Sequence, residues 1–353
     1  MTAHSSQTTR VQPLGPLLIG LGGLEISSEE SDWLRHPAVG GVVLFTRNYR
    51  DLSQLSELTV SISKIAGRDL LICVDHEGGR VQRFRNGFTR LPPLAVLGKM
   101  YAESAAKALD FAYRHGRVMA TELLLCGVDL SFAPVLDLGD RSVIIGDRAF
   151  ASDPMAIIEL SNAYIGGMHD AGMAATGKHF PGHGSVAADS HTDDVFDPRP
   201  FEVIEEADLK PFAALSGKLD AIMMAHVLYT AVDERPAGYS PFWIKTILRG
   251  QLNYQGTIFS DDLGMYAAKV AGGLMARVRD SLEAGCDAVL VCDPEDVRQL
   301  LVNNELSIAD ADRALKKLKG RLTATRDEIE RVSEWRQWKK TITQLELEQS
   351  KWV

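Results

Sequence analysis

The chain has 353 residues, 45% of them hydrophobic and 24% charged, with a formal net charge of −9. That length exceeds an average domain but fits one large α/β barrel. The acidic balance excludes a general nucleic-acid binder, which needs a basic face.

No apolar run approaches the length of a membrane span. The stretch Met1 to Gln12 is polar and lacks the hydrophobic segment of a secretory leader. The expected location is therefore the cytoplasm, without membrane insertion. Cys73, Cys126, Cys286 and Cys292 lie in or beside apolar runs, with no Cys-x-x-Cys pair. This usage predicts buried reduced thiols rather than disulfides or a zinc site.

Eight short apolar runs follow in chain order: Leu14 to Leu21, Gly40 to Phe45, Leu70 to Val74, Val128 to Leu136, Met173 to Lys178, Ala221 to His226, Thr257 to Ser260 and Ala288 to Cys292. Their apolarity is continuous rather than alternating, as suits strands buried on both faces in a parallel sheet. Segments with helical spacing lie between them: Ser53 to Ala66, Ala102 to Cys126, Pro154 to Ala171, Phe201 to Leu215, Pro241 to Leu252 and Met265 to Ala284. The alternation predicts an α/β fold, a single-domain (β/α)8 TIM-type barrel over residues 1–306. A doubly wound open sheet is the alternative, weakened because Gly20-Leu21-Gly22-Gly23 does not fit a dinucleotide-binding turn. Residues 307–353 read as a C-terminal helical extension docked on the barrel's outside. It holds Trp335, Trp338 and Trp352, three of the five tryptophans, so a partner surface is the sharper alternative.

Polar residues gather where the predicted strands end. The third runs into Asp75-His76-Glu77-Gly78-Gly79-Arg80 and then Arg83; the fourth ends near Asp137, before a loop holding Asp140, Arg141, Asp147 and Arg148. The fifth ends in Lys178-His179, the sixth in His226 and the seventh in Ser260-Asp261-Asp262. Charge straight after an apolar strand is unfavourable unless it faces a polar cavity or a counter-charge, and in a barrel all these ends meet on one rim.

Simpler readings stand beside each. Ser260, Asp261 or Asp262 could cap a helix starting near Leu263, Gly78-Gly79 could be a tight turn, and Arg83 and Arg148 could merely neutralise nearby acids. His226 could be a hydrogen-bonded rim histidine. Lys178 to His191 is the richest stretch, with three of the nine histidines, and Pro181, Gly182 and Gly184 make it a loop. His179, His183, His191 and Asp189 lack the spacing of an organised metal site, so no metal is expected.

Such a rim suits a hydroxylated substrate, because lysine and arginine donate to hydroxyls and carboxylates accept from them. Retaining glycoside hydrolysis needs a carboxylate nucleophile and a general acid/base. Asp261 is placed for the first role. His191 could serve as the second, with Asp189 orienting its ring and raising its pKa.

Lys178-His179-Phe180-Pro181-Gly182-His183-Gly184, Asp189-Ser190-His191, Ser260-Asp261-Asp262-Leu263 and Asp75-x-Glu77-Gly78-Gly79-Arg80 together resemble glycoside hydrolase family 3. The closer likeness is to its single-domain bacterial β-N-acetylglucosaminidases of peptidoglycan recycling. The resemblance covers roughly residues 14 to 305. It implies a retaining exo-enzyme acting on N-acetylglucosaminyl-anhydro-N-acetylmuramyl peptides. Asp261 matches the nucleophile, His191 the acid/base and Asp189 its partner. Asp75, Arg83, Arg148, Lys178 and His179 match residues that hold the terminal sugar. No cofactor is implied, the partner is a small muropeptide substrate, and a monomer is expected, a dimer being the alternative.

Overall fold

The computed structural model describes residues 12–139, 142–185, 195–302, 311–322 and 324–349. Its frame is eight strands, β1 (Leu17–Gly20), β2 (Val39–Leu44), β3 (Leu71–Val74), β4 (Leu130–Ser131), β5 (Thr176–Phe180), β6 (Ala221–Met224), β7 (Thr257–Asp262) and β8 (Ala288–Val291). They form one sheet in the order β4-β3-β2-β1-β8-β7-β6-β5. Every neighbouring pair is parallel. The ends of that order meet. Val135, just beyond β4, bridges Lys178 of β5 in parallel, and Leu136 N–H donates to the Lys178 carbonyl at 2.7 Å. The sheet is thus an almost closed (β/α)8 barrel, as the alternation predicts. The strands are short and buried on both sides, which is why they lack a polar period.

Differences from the sequence-based elements have local causes. The fourth run, Val128 to Leu136, is laddered to β3 only over Leu130–Ser131, because β3 ends at Val74 and its chain turns into a hairpin. Phe201 to Leu215 is two helices, Phe201–Glu206 and Lys210–Leu215, the second carrying Pro211 in its first turn. Met265 to Ala284 is a 3₁₀ turn over Tyr266–Ala271 and a helix over Leu274–Ala284, separated at Gly272, where φ is +93°. Helices at Ser28–Arg35, Leu94–Glu103 and Pro294–Val302 have no counterpart in the sequence reading. The first is short and acidic, and is fixed by a capping box between Ser27 and Glu30 rather than by a wide apolar stripe.

A long helix, α1 (Ala105–Leu124), runs between β3 and β4 in the chain. In the C-terminal segment another long helix, α2 (Ser333–Gln349), lies along it. Trp338 meets Tyr113 of α1 edge-on at 6.3 Å between ring centroids, and Trp335 and Ile342 are buried. The four cysteines are buried free thiols. Among the described residues, no helix is long and apolar enough to cross a membrane.

Candidate active site

A cavity of about 370 Å³ opens at the C-terminal ends of the strands. Its walls include Asp75, Arg83, Arg148, Lys178, His179 and Asp261, six residues expected from the sequence to hold or attack a sugar. They come from β5, β7 and the segments after β3 and β4.

The side under β3 is an ion network. Lys178 Nζ donates to Asp75 Oδ1 at 2.7 Å and sits 2.6 Å from Glu77 Oε1. The Arg148 guanidinium grips Glu77 through both carboxylate oxygens, each at 2.8 Å. Arg83 lies 3.6 Å from the other Asp75 oxygen. Glu77 and Lys178 are each 1% exposed, so these charges persist only because they compensate one another. Burial works to raise the Glu77 pKa, but Arg148 and Lys178 outweigh it and hold the carboxyl well below its usual value. Asp75 follows the same pattern: Lys178 and Arg83 overcome its desolvation and keep it ionised. Glu77 holds the two cations, while Asp75 and the remaining guanidinium and ammonium hydrogens face the cavity as acceptor and donors.

The backbone explains how one short segment reaches so far. After Val74 the chain makes a hairpin, His76–Gly78 pairing antiparallel with Val81–Gln82. Gly78 and Gly79 turn it with φ of +115° and +53°, so the tight-turn reading of this pair is right.

On the opposite wall His179 is clamped. Its Nδ1 lies 2.7 Å from Asp137 Oδ2, and its backbone N–H donates to the same carboxylate at 3.2 Å. Asp137 also accepts from the His183 backbone N–H at 2.7 Å. Burial opposes ionisation of Asp137, yet His179 and His183 keep its pKa below the ordinary value. With Nδ1 so held, His179 Nε2 points towards the cavity, 3.9 Å from Asp261 Oδ2. Gly184 lets this loop press on the fourth-strand segment, since a Cβ there would stand 1.7 Å from the Leu138 carbonyl oxygen.

At the end of β7 no helix starts at Leu263, and the next turn, from Tyr266, has Met265 before it with no side-chain cap. The capping reading of Ser260, Asp261 and Asp262 is therefore incorrect. Ser260 Oγ accepts from Leu290 N–H at 3.1 Å. Asp262 Oδ1 accepts from the N–H groups of Gly264 and Cys292 at 3.0 and 3.1 Å. His226 is a rim histidine whose Nε2 lies 3.0 Å from the Asp262 carbonyl. Asp261 remains as the strand-end carboxylate with its side chain on the cavity.

Asp189, His191, Asp140 and Arg141 lie outside the described residues. Among the described residues no group of three or more potential ligands is arranged to hold a metal ion. Glu77 and Asp137 were given no role from sequence. Their signal was there all the same: Asp137 directly follows an apolar run and Glu77 follows one within three residues.

An almost closed parallel barrel with a strand-end carboxylate facing a donor-lined polar cavity fits a glycoside hydrolase of the (β/α)8 class. The family description "Glycosyl hydrolase family 3 N terminal domain" matches residues 9–334. A beta-hexosaminidase of Tolumonas auensis is 56% identical over 282 residues, 79% of this chain and 83% of its own. One of Alkalilimnicola ehrlichii is 51% identical over 328 residues, 92% and 94% of the two chains. NagZ from Neisseria gonorrhoeae, solved in complex with N-trifluoroacetyl-D-glucosamine, is similar with a TM-score of 0.89 and 41% identity, covering 95% of this chain and 99% of that one. The chain belongs to glycosyl hydrolase family 3, as a β-N-acetylhexosaminidase.

Proposed function

We propose that the chain is a retaining exo-β-N-acetylglucosaminidase that removes terminal β-linked N-acetylglucosamine from N-acetylglucosaminyl-anhydro-N-acetylmuramyl peptides. It does so without a cofactor, as a monomer in the cytoplasm, in the recycling of cell-wall fragments. Residues 1–306 form the catalytic barrel and 307–353 its extension. The reading rests on one observation above the others: Asp261 shares a single cavity with Asp75, Arg83, Arg148, Lys178 and His179. The N-acylated glucosamine bound to the Neisseria protein supports the same substrate class.

In this mechanism Asp75, Arg83, Arg148, Lys178 and His179 hold the hydroxyls of the terminal sugar, fixing its anomeric carbon over Asp261. The Asp261 carboxylate attacks that carbon as the glycosidic C–O bond breaks, and His191 gives its proton to the departing oxygen. Asp189 orients the imidazole and favours its protonated form. The neutral His191 then takes a proton from water, which attacks the same carbon and releases Asp261. Two displacements return the original anomeric configuration.

Another histidine competes for the acid/base role. His179 also has a carboxylate partner, Asp137, and it is close to Asp261. At 3.9 Å from the attacking oxygen it stands on the nucleophile's side of the linkage, which suits binding rather than proton delivery to the far side. Proton NMR of the first product from an aryl β-N-acetylglucosaminide tests the main reading: the β anomer is expected, and an α product would refute it. The pH profiles of His191→Asn and His179→Asn separate the two histidines. Loss of the limb set by the general acid belongs to the His191 variant.

A further inference from the structure

The C-terminal helix reaches the sugar-binding loop through a buried carboxylate. Arg83 lies midway along the segment between β3 and the Leu94–Glu103 helix, just after the hairpin strand Val81–Gln82. Gln82, beside it, braces that segment from within: its side-chain amide donates to the Thr89 carbonyl at 2.8 Å and accepts from Leu91 N–H at 3.0 Å. Phe84 and Phe88 pack with His76, at 5.6 and 5.3 Å between ring centroids. The outer anchor is Glu122 on α1, which accepts from both the N–H and the hydroxyl of Thr89, each at 2.8 Å. Lys339 of α2 lies 2.8 Å from the same carboxylate, whose side chain is 9% exposed. Closer to the end of α2, Glu346 pairs with Arg90 at 3.1 Å.

We infer that Lys339 is a positioning residue for substrate binding: it holds the Glu122 carboxylate on Thr89 and so sets the loop that presents Arg83. A carboxylate this enclosed needs a nearby cation to offset its lost hydration. Without Lys339, the Glu122 carboxylate loses its counter-charge and turns towards water, which weakens its two bonds to Thr89. The loop then samples positions in which Arg83 leaves the cavity. Because Asp261 and the His179–Asp137 pair stand on other elements, the loss falls on binding rather than on the chemical step. The inference rests on the proposed role of Arg83.

The experiment is steady-state hydrolysis of an aryl β-N-acetylglucosaminide by the full-length protein. Lys339→Met should raise KM about 3- to 10-fold while kcat changes less than about twofold, a loss confined to binding of the kind small displacements of a binding group produce. Lys339→Arg should restore KM, and Lys340→Met, on the exposed neighbour, should match the parent. Thr89→Val, which removes only the hydroxyl, should raise KM in the same direction, and combining it with Lys339→Met should add little. It also decides the matter if the lysine variant does not fold. An unchanged KM in both variants, or a fall in kcat without a rise in KM, overturns the inference. Arg83→Ala separates the two layers. If it leaves KM unchanged the site reading fails, whereas if it raises KM and the Lys339 and Thr89 variants do not, only the bracing role fails.

Discussion

The ends of β3 and β7 each carry two acids, and the spacing between them decides what those acids do. Asp75 and Glu77 are two apart on extended chain, so their side chains leave on the same side. They share one cation, Lys178, at 2.7 and 2.6 Å. Asp261 and Asp262 are adjacent and both line the cavity, but their carboxylates are used differently. Asp262 turns to the N–H groups of Gly264 and Cys292, and Asp261 faces the cavity. A pair at i, i+2 builds a binding network; a pair at i, i+1 isolates one reactive carboxylate and uses its neighbour as a bracket.

The comparison breaks most sharply at Asp261. Asp261→Ala should lower kcat by on the order of 10⁴-fold or more while leaving the folded state and its melting temperature intact. Turnover near the parent level would show that β7 does not supply the nucleophile. Next in size is Asp189→Ala. If its work is to orient His191, kcat should fall by about 10²- to 10⁴-fold, and the pH optimum should shift as the imidazole pKa drops without its carboxylate partner. Stopped-flow or steady-state profiles from pH 5 to 9 would show whether the optimum moves; a fixed optimum argues against that pairing.

The barrel was legible because its strands are buried on both faces, so their runs are mainly Val, Ile, Leu and Ala instead of alternating apolar and polar residues. The rim was legible because the apolar runs stop at charge. What escaped was the division of labour among the acids. Glu77 and Asp137 sit in positions like those of Asp75 and Asp261 along the chain, and only partner distances separate a carboxylate that holds Arg148 or His179 from one that meets substrate. The helix-cap reading at β7 failed for a related reason. Ser260-Asp261-Asp262 has cap composition, but the chain stays extended through Asp262 and the capping side chain bonds a turn and the next strand instead.

At β3 the network itself can be unbalanced. Glu77→Gln keeps the shape and removes the charge between Arg148 and Lys178. Breaking a buried pair typically costs about 3–5 kcal/mol, so the urea midpoint should fall while the slope stays unchanged. KM for the aryl N-acetylglucosaminide should rise about 10-fold or more, because a slack Arg148 no longer meets the sugar in one geometry. The sign of the pH dependence comes from the depressed Glu77 pKa. Its contribution to stability is present above the unfolded value of about 4.3 and is lost as pH falls through the lower folded value. The gap between parent and variant should therefore be full at pH 6 and narrow on acidification towards pH 3. A gap of constant size would mean that Glu77 acts through packing alone.

The smallest effect is at Asp262, and its sign is opposite. Burial, with a lesser contribution from the adjacent Asp261, pushes the Asp262 carboxyl up from 3.8 to about 6. A raised folded pKa means the fold prefers the protonated acid, so ionisation between about pH 4 and 6 weakens the folded state, and that penalty persists at neutral pH. Asp262→Asn keeps an oxygen able to accept from Gly264 and Cys292 but cannot ionise. Its melting temperature relative to the parent should therefore rise with pH between 4 and 7, by up to about 4 °C in a chain of this size. If the melting difference is flat, Asp262 is charged throughout this range, and the bracket at β7 works through its two backbone hydrogen bonds alone.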